Sequence, residues 1–126
     1  MQKLKKPLFV LMLALALLLC GCKQNPPQEK LYAKLVGYFT ERGLACELMD
    51  GATIDEPAIA DAGAWRALNA GGETVYVYFD ESNRADYLLT QIDQNRYGYA
   101  TSFGLRFLLN YRGDNEAVLA ALRDME

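Results

Sequence analysis

The chain contains no histidine among its 126 residues. Ser-His-Asp and Cys-His catalytic arrangements are therefore impossible, and most catalytic zinc sites would lack their usual ligand. Nucleotide-binding glycine motifs and calcium-loop spacings are also missing, since Gly71-Gly72 precedes a predicted strand whereas phosphate loops precede a helix. These absences exclude the commonest hydrolases, and the sequence predicts no cofactor and no metal site.

Basic residues are not in excess, with 13 Lys and Arg against 16 Asp and Glu. If Lys3, Lys5 and Lys6 leave with an N-terminal signal, ten basic and sixteen acidic residues remain, a net charge of −6. Binding to nucleic-acid phosphates needs clustered Lys and Arg, which here are scattered singly among acids. The sequence thus predicts no nucleic-acid partner and no electrostatic adhesion to anionic lipid.

The sequence also lacks an apolar run long enough to span a bilayer. The longest, residues 8–19, has twelve residues and follows the basic start Met1-Gln2-Lys3-Leu4-Lys5-Lys6. A transmembrane helix needs about 20 apolar residues, whereas a basic start and a short apolar run are typical of a secretory signal. We therefore expect residues 1–21 to be a removable signal peptide.

The residues after this run indicate the type of signal. Leu19-Cys20-Gly21-Cys22 resembles the bacterial lipobox, an aliphatic residue, a small residue, Gly or Ala, and then cysteine. The resemblance implies cleavage before Cys22, lipidation of Cys22 (a diacylglyceryl group on its sulfur through a thioether, and palmitate), and anchoring at the extracytoplasmic face of the cell membrane. A competing register that ends at Cys20 is disfavoured, because it places the bulky Leu19 where the lipobox has Gly or Ala.

Cysteine is scarce, and the three in the chain are not expected to form a disulfide. Cys20 would leave with the signal and Cys22 would carry lipid, so only Cys46 would remain in the folded part. Cys46 lies in a short apolar run, which favours a buried small side chain over a redox or nucleophilic thiol. Residues 22–28, with Pro26-Pro27, read as an extended tether.

Apolar periodicity predicts one α+β domain over residues 29–126, with the order α-β-β-β-α-β-β-α. We expect a mostly antiparallel sheet with helices on one face and the other face partly open to water. Residues 52–63 are expected to be irregular, Asp80 or Ser82 to cap the second helix, and Asp114 the last. The predicted helices are residues 29–42, a second with the apolar stripe Ala85, Leu88, Leu89 and Ile92, and a last one with Val118, Leu119 and Leu122 facing inward. The predicted strands are residues 44–49, 74–79, 97–102 and 105–111. Residues 64–68 fit either a helix or a strand, and the turn that follows them favours a hairpin strand.

The second half of the chain carries a family resemblance in its layout. Its carriers are Leu68-Asn69 before a turn, Val75-Tyr76-Val77-Tyr78 before a helix, and Leu108-Leu109-Asn110-Tyr111-Arg112-Gly113-Asp114-Asn115-Glu116 before the last helix. In these respects the chain resembles small Gram-positive lipoproteins of uncharacterised type that join a lipobox to one compact α+β domain. The resemblance implies the anchor and the fold class and brings no catalytic residues.

Two groups of side chains are candidates for a site. An acidic run could supply a general acid and base or bind a divalent cation, but the lack of apolar residues around it favours a solvated acidic loop. Tyr76 and Tyr78 point away from the predicted core, where Tyr97 and Tyr99 could join them in a patch for a protein or glycan; this requires that no other element buries them. The acidic run is Asp50, Asp55, Glu56 and Asp61.

From the sequence, the chain is predicted to be a membrane-anchored extracytoplasmic lipoprotein whose domain is a non-catalytic binding or interaction module. The alternative is a small envelope enzyme that uses carboxylates or the thiol of Cys46. In a third interpretation the cleaved apolar peptide, residues 8–19, is itself a signalling product.

Overall fold

A computed structural model describes residues 28–50 and 54–126 of the chain. The predicted signal peptide, the lipidation site Cys22 and the tether up to residue 27 lie outside the described residues, as do residues 51–53. The chain divides into two units, residues 1–33 and 34–126, and the described part of the first is the start of a helix. Within the described ranges, no helix has the length and apolar character that crossing a membrane requires.

The described residues form four α-helices and five strands, together with a 3₁₀ turn at Ala62–Ala64. The helices are α1 Gln28–Glu41, α2 Ala85–Leu89, α3 Gln94–Tyr97 and α4 Glu116–Arg123. The strands are β1 Cys46–Met49, β2 Trp65–Ala70, β3 Glu73–Phe79, β4 Tyr99–Phe103 and β5 Phe107–Tyr111.

The five strands form one antiparallel sheet in the order β1-β2-β3-β5-β4. The predicted α+β class, the antiparallel sheet and the order of the elements are confirmed, with the one-turn helix α3 added before β4. The β2–β3 turn contains Gly71 and Gly72, both at positive φ, which is the conformation that glycine adopts without steric cost.

One face of the sheet carries the main core, and we call it the helix face. Cross-strand register places Leu68 beside Val75 and Val77 beside Leu109, and all four side chains are buried. Helices α1 and α4 lie on this side, because Tyr38 of α1 stacks edge-on against Phe103 of β4 and donates to the carbonyl oxygen of Ala121 in α4. Alternation of apolar residues along β3 and β5 produces this face.

The opposite face, which we call the tyrosine face, is partly covered, since Tyr76 and Tyr78 are half-buried while Thr74 on the same face is exposed. It carries Trp65, Tyr76, Tyr78, Ala100 and Leu108, which register places on the same side of the sheet. Apolar residues from α2, from the turn after it and from the irregular segment before β2 pack against these side chains. Helices therefore lie on both faces, α1 and α4 on one and α2 on the other.

The predicted helix caps need correction. Asn115, not Asp114, is the N-cap of α4, since its Oδ1 accepts from the backbone N–H groups of Ala117 and Val118. Asp80 accepts from the N–H groups of Ser82 and Arg84, so it holds the turn before α2, while Arg84 occupies the N-cap position without a side-chain bond. Either residue of an Asp-Asn pair suits a cap, and only the backbone geometry decides between them.

Candidate functional site

The tyrosine face lies beneath a segment that contains no regular secondary structure. Residues 54–60, which we call the cover segment, contribute Ile54, Ala58 and Ile59 to one hydrophobic cluster with residues of the face. Ile54 is almost completely buried, although it follows directly on residues outside the described ranges. The sheet members of the cluster are Trp65, Tyr76, Tyr78, Ala100 and Leu108, and Leu88, Leu89 and Ile92 join it from the α2 region.

The side chain of Arg112, the residue after β5, holds the cover segment by binding backbone carbonyls of that segment. Its Nη1 donates to the carbonyl oxygen of Asp55 and its Nη2 to that of Glu56, both at 2.7 Å. Its Nε donates to Oδ1 of Asn110 at 3.0 Å. A planar guanidinium can serve several acceptors in a fixed fork, and charge-assisted bonds of this kind are stronger than neutral ones.

Asn110 orients this arginine from inside the sheet. Its side chain is fully buried, and Nδ2 donates to the carbonyl oxygens of Tyr97 and Tyr99 at 3.0 and 3.2 Å. With Oδ1 accepting from Arg112, the buried amide is satisfied at both ends, as burial of a polar group requires. Asn110 thus connects the cover segment, through Arg112, to the chain between α3 and β4.

Two aromatic rings lie close to the guanidinium of Arg112. Its central carbon lies 5.5 Å from the ring centroid of Tyr76 and 5.6 Å from that of Tyr97, within the range of cation–π attraction. Tyr97 also has the guanidinium of Arg96 at 5.0 Å. Trp65 and Tyr78 extend the aromatic surface, with ring centroids 5.6 Å apart.

The other end of the cover segment is held by the single tryptophan of the chain. Nε1 of Trp65 donates to the carbonyl oxygen of Ile59 at 2.7 Å. An ion pair between Arg96 and Glu56, with 3.9 Å between nitrogen and oxygen, is exposed and contributes at most about 1 kcal/mol. The three hydrogen bonds from Arg112 and Trp65 are all accepted by backbone carbonyls of the cover segment. None of them depends on the identity of a side chain in that segment.

The backbone of the cover segment is strained at two positions. Glu56 and Ala60 adopt φ of 50° and 60°, a left-handed conformation that costs a non-glycine residue about 1 kcal/mol or more. Because neither position is a glycine, this backbone conformation is unfavourable locally. It places the carbonyl groups and isoleucines of the segment against the tyrosine face.

The four tyrosines predicted as a patch do not lie together. Tyr76 and Tyr78 are half-buried on the tyrosine face, and Tyr97 reaches the same region from α3 through its contact with Arg112. Tyr99 pairs in register with Tyr111 on the helix face and donates to the carboxylate of Glu126. Burial and this carboxylate raise the pKa of Tyr99 to about 12. The predicted patch is therefore divided, with Tyr76, Tyr78 and Tyr97 in one region and Tyr99 on the opposite face of the sheet.

Cys46 lies at the start of the edge strand β1 and is partly buried. It lines a shallow cleft of about 470 Å³ with Ala45, Glu47, Asn69, Gly71 and Gly72. Burial, assisted by the negative charge of Glu47, raises the pKa of the thiol to about 11. A catalytic or redox thiol needs the opposite shift, because the thiolate is the nucleophile.

We therefore expect Cys46 to react slowly with iodoacetamide at pH 7, where about one thiol in ten thousand is ionised at a pKa of 11. Because the folded pKa is raised, the rate should climb roughly tenfold per pH unit up to about pH 10 and level off only above 11. Mass spectrometry of the alkylated peptide measures the rate, and a Cys46→Ser variant gives the background from other sites. A plateau below pH 9 would contradict the assignment.

The four acids of the predicted run are exposed and make surface contacts. Asp50 pairs with Arg66 at 3.8 Å and Glu56 with Arg96, while Asp55 and Asp61 accept hydrogen bonds through their backbone carbonyls. Among the residues that the structure describes, no group of three or more Cys, Asp or Glu side chains is placed to hold a metal ion. In the same residues, every buried side-chain nitrogen and oxygen has a hydrogen-bond partner.

Sequence reasoning missed Arg112, Asn110 and Trp65, which together with the cover segment build this site. A signal existed for Asn110, because a lone amide within the apolar strand 107–111 must find buried partners. No pattern indicates that Arg112 reaches a segment more than fifty residues earlier in the chain.

Comparison with protein-family models, with curated proteins and with solved structures gives no match to this chain. The site is therefore interpreted from its own geometry. That geometry comprises an aromatic and aliphatic surface and an arginine that binds two successive carbonyl groups. A strained segment covers the surface and supplies the two carbonyls.

Proposed function

We propose that this chain is an exported lipoprotein, anchored in the cell membrane through Cys22, whose folded domain binds an envelope partner and has no catalytic activity. The observation that carries the anchor is the sequence Leu19-Cys20-Gly21-Cys22 directly after a short apolar run with a basic start. The expected location is the extracytoplasmic face of the membrane.

Three observations favour binding over catalysis. The chain has no histidine. The thiol of Cys46 has its pKa raised by burial to about 11, away from the range of reactive thiols. The carboxylates of the acidic run are exposed, and the ion pairs of Asp50 and Glu56 are surface contacts. A small carboxylate- or thiol-dependent enzyme is therefore the less supported alternative.

The anchor is tested by replacing the two adjacent cysteines one at a time in the full-length chain. Cells are fed an alkyne analogue of palmitate, and the protein is followed by click labelling and by membrane fractionation. We expect the Cys22→Ala variant to lose the label and to remain unprocessed or to become soluble. Cys20→Ala is the matched control and should behave as the original chain, since alanine is also small. Retained label in Cys22→Ala, or its loss only in Cys20→Ala, would refute the assignment.

The binding function is tested in the envelope itself. A photoreactive cross-linker attached to the anchored protein should give a reproducible covalent adduct with an envelope protein or glycan, identified by mass spectrometry. Absence of any adduct above the level given by an unrelated anchored domain would count against a binding module.

A further inference from the structure

We propose that the cover segment is an internal ligand, and that the tyrosine face beneath it is a binding surface for a short, bent peptide with aliphatic side chains, supplied by a partner that displaces the segment. This proposal rests on the binding function proposed above and specifies its surface and the chemistry of its partner. It is argued from what residues 54–60 already do on this face.

The polar contacts of the cover segment are made by its backbone carbonyls at a bend around Glu56, where φ is positive and two successive carbonyls can face one guanidinium. Arg112 binds two successive backbone carbonyls, those of Asp55 and Glu56, and Trp65 binds the carbonyl of Ile59. Recognition through main-chain groups gives affinity without a strict sequence requirement, and side-chain pockets then give specificity. A peptide with free carbonyls at the same spacing satisfies the same three donors.

The side chains define the kind of peptide. Ile54 and Ile59 enter the cluster formed with Trp65, Tyr76 and Tyr78, and Ala58 lies between them in sequence. A partner therefore needs two aliphatic residues five positions apart with a small residue before the second. Between them, acidic side chains are tolerated, because Asp55 and Glu56 are exposed, and Arg96 lies near Glu56.

The receptor side of the contact is preorganised, whereas the cover side is strained. Asn110 is fully buried and fixes Arg112 from within the sheet, and the rings of Tyr76 and Tyr97 lie near the guanidinium. Glu56 and Ala60 hold the left-handed conformation that non-glycine residues rarely adopt. A partner whose own structure already holds this bend avoids the cost of forming it, and so can compete with the tethered segment despite the high local concentration of that segment.

The first part of the test is release of the segment. Trp65 is the only tryptophan, so its emission and its quenching by acrylamide report on the cover. In the purified full-length chain in a mild detergent, Ile59→Ser should shift the emission to longer wavelength and raise the quenching constant at least twofold. Leu119→Ser, a change to a half-buried position of α4, is the matched control and should leave both unchanged. Urea unfolding of each variant confirms that it is folded before its emission is read.

The second part is binding of a defined probe, the fluorescent peptide Ile-Asp-Glu-Pro-Ala-Ile-Ala with blocked termini. Its affinity should be at least tenfold higher for Ile59→Ser than for the original chain, since the competing segment is weakened. Adding Arg112→Ala to Ile59→Ser should lower the affinity at least tenfold, because two charge-assisted bonds to the peptide are lost. The peptide with both isoleucines replaced by serine should not bind.

Each outcome decides the proposal. Exposure of Trp65 in Ile59→Ser with saturable, Arg112-dependent peptide binding supports it. Exposure without peptide binding overturns it, as does an unchanged Trp65 signal in Ile59→Ser. Either negative result leaves the binding function open at another surface, because the envelope cross-linking of the original chain measures that function separately.

Discussion

A Gly98→Ala variant is expected to lose about 4 kcal/mol of the free energy of unfolding. Gly98 ends α3 with φ of 94° and ψ of −177°, a region that is essentially restricted to glycine. A Cβ there would lie 2.6 Å from the carbonyl oxygen of Tyr111 and 3.1 Å from Cα of Arg112. Both are backbone atoms of β5 and its end, so no side chain can rotate away, and overpacking adds to the backbone cost.

This effect is measured by urea unfolding, in which about 4 kcal/mol corresponds to a midpoint shift of about 2 M for a domain of this size. Gly63→Ala is the matched control, since a Cβ at Gly63 meets no atom within 4 Å and its φ is not positive. The free energy of unfolding of Gly63→Ala should stay within about 0.5 kcal/mol of that of the original chain. Equal midpoints for the two variants would show that α3 is not pressed against β5.

The Gly98→Ala variant also connects stability to the candidate site. Tyr97 precedes Gly98 and receives the Nδ2 hydrogen bond of Asn110 on its carbonyl oxygen. Moving α3 away from β5 would therefore break the support of Arg112 and loosen the cover segment. We expect Trp65 quenching to rise in Gly98→Ala at urea concentrations below its unfolding midpoint, whereas Gly63→Ala should show no such rise.

Leu109→Ala is expected to lower the free energy of unfolding by about 3 to 4 kcal/mol. Leu109 is fully buried in β5, between Val77 of β3 and Thr101 of β4, on the helix face. Removing a buried leucine side chain loses its transfer free energy and leaves a cavity that a sheet flanked by helices cannot close. For a domain whose total stability is about 5 to 15 kcal/mol, this is a large share.

The same substitution four residues earlier provides the control. Leu105 lies in the β4–β5 turn with 54% of its surface exposed, so Leu105→Ala should change the free energy of unfolding by less than about 0.5 kcal/mol. Chemical denaturation of both variants with a common slope measures the difference. If the two leucines prove equivalent, the predicted core on the helix face is wrong.

Together these variants separate two roles of β5. Its helix-face residue Leu109 stabilises the domain through apolar burial. Its tyrosine-face residue Asn110 binds Arg112, two residues later, and organises the candidate site through hydrogen bonds. A strand can serve both because successive side chains point to opposite faces of the sheet.

The sequence by itself determined the elements and their order. Periodicity was strong in β3, where β-branched and aromatic residues alternate, and in α4, where Val118 and Leu122 are buried one turn apart. Such patterns are local, so they can be read without knowing what packs against them. The lipobox and the anchor at Cys22 are also local and stay predictions here.

Only the tertiary structure decided which faces are covered and which residues meet. The half-polar appearance of Tyr76 and Tyr78 suggested an open face, yet irregular residues near Pro57 supply two isoleucines to cover it. Such a segment has no period from which its position could be inferred. Tyr99 lies on the other face because the pairing of β4 with β5 sets it opposite Tyr111, and this register was not readable from the sequence. Tyr97 does not follow the strand alternation, because it ends α3.

The anchor and the site thus differ in how they can be known. The anchor proposed at Cys22 depends on four consecutive residues, so it can be predicted from a local motif. The guanidinium of Arg112 and the carbonyls of Asp55 and Glu56 meet across more than fifty residues, through the pairing of β2 with β3 and of β3 with β5. Non-local pairing is set by the packing of the whole sheet, which no short stretch of sequence contains.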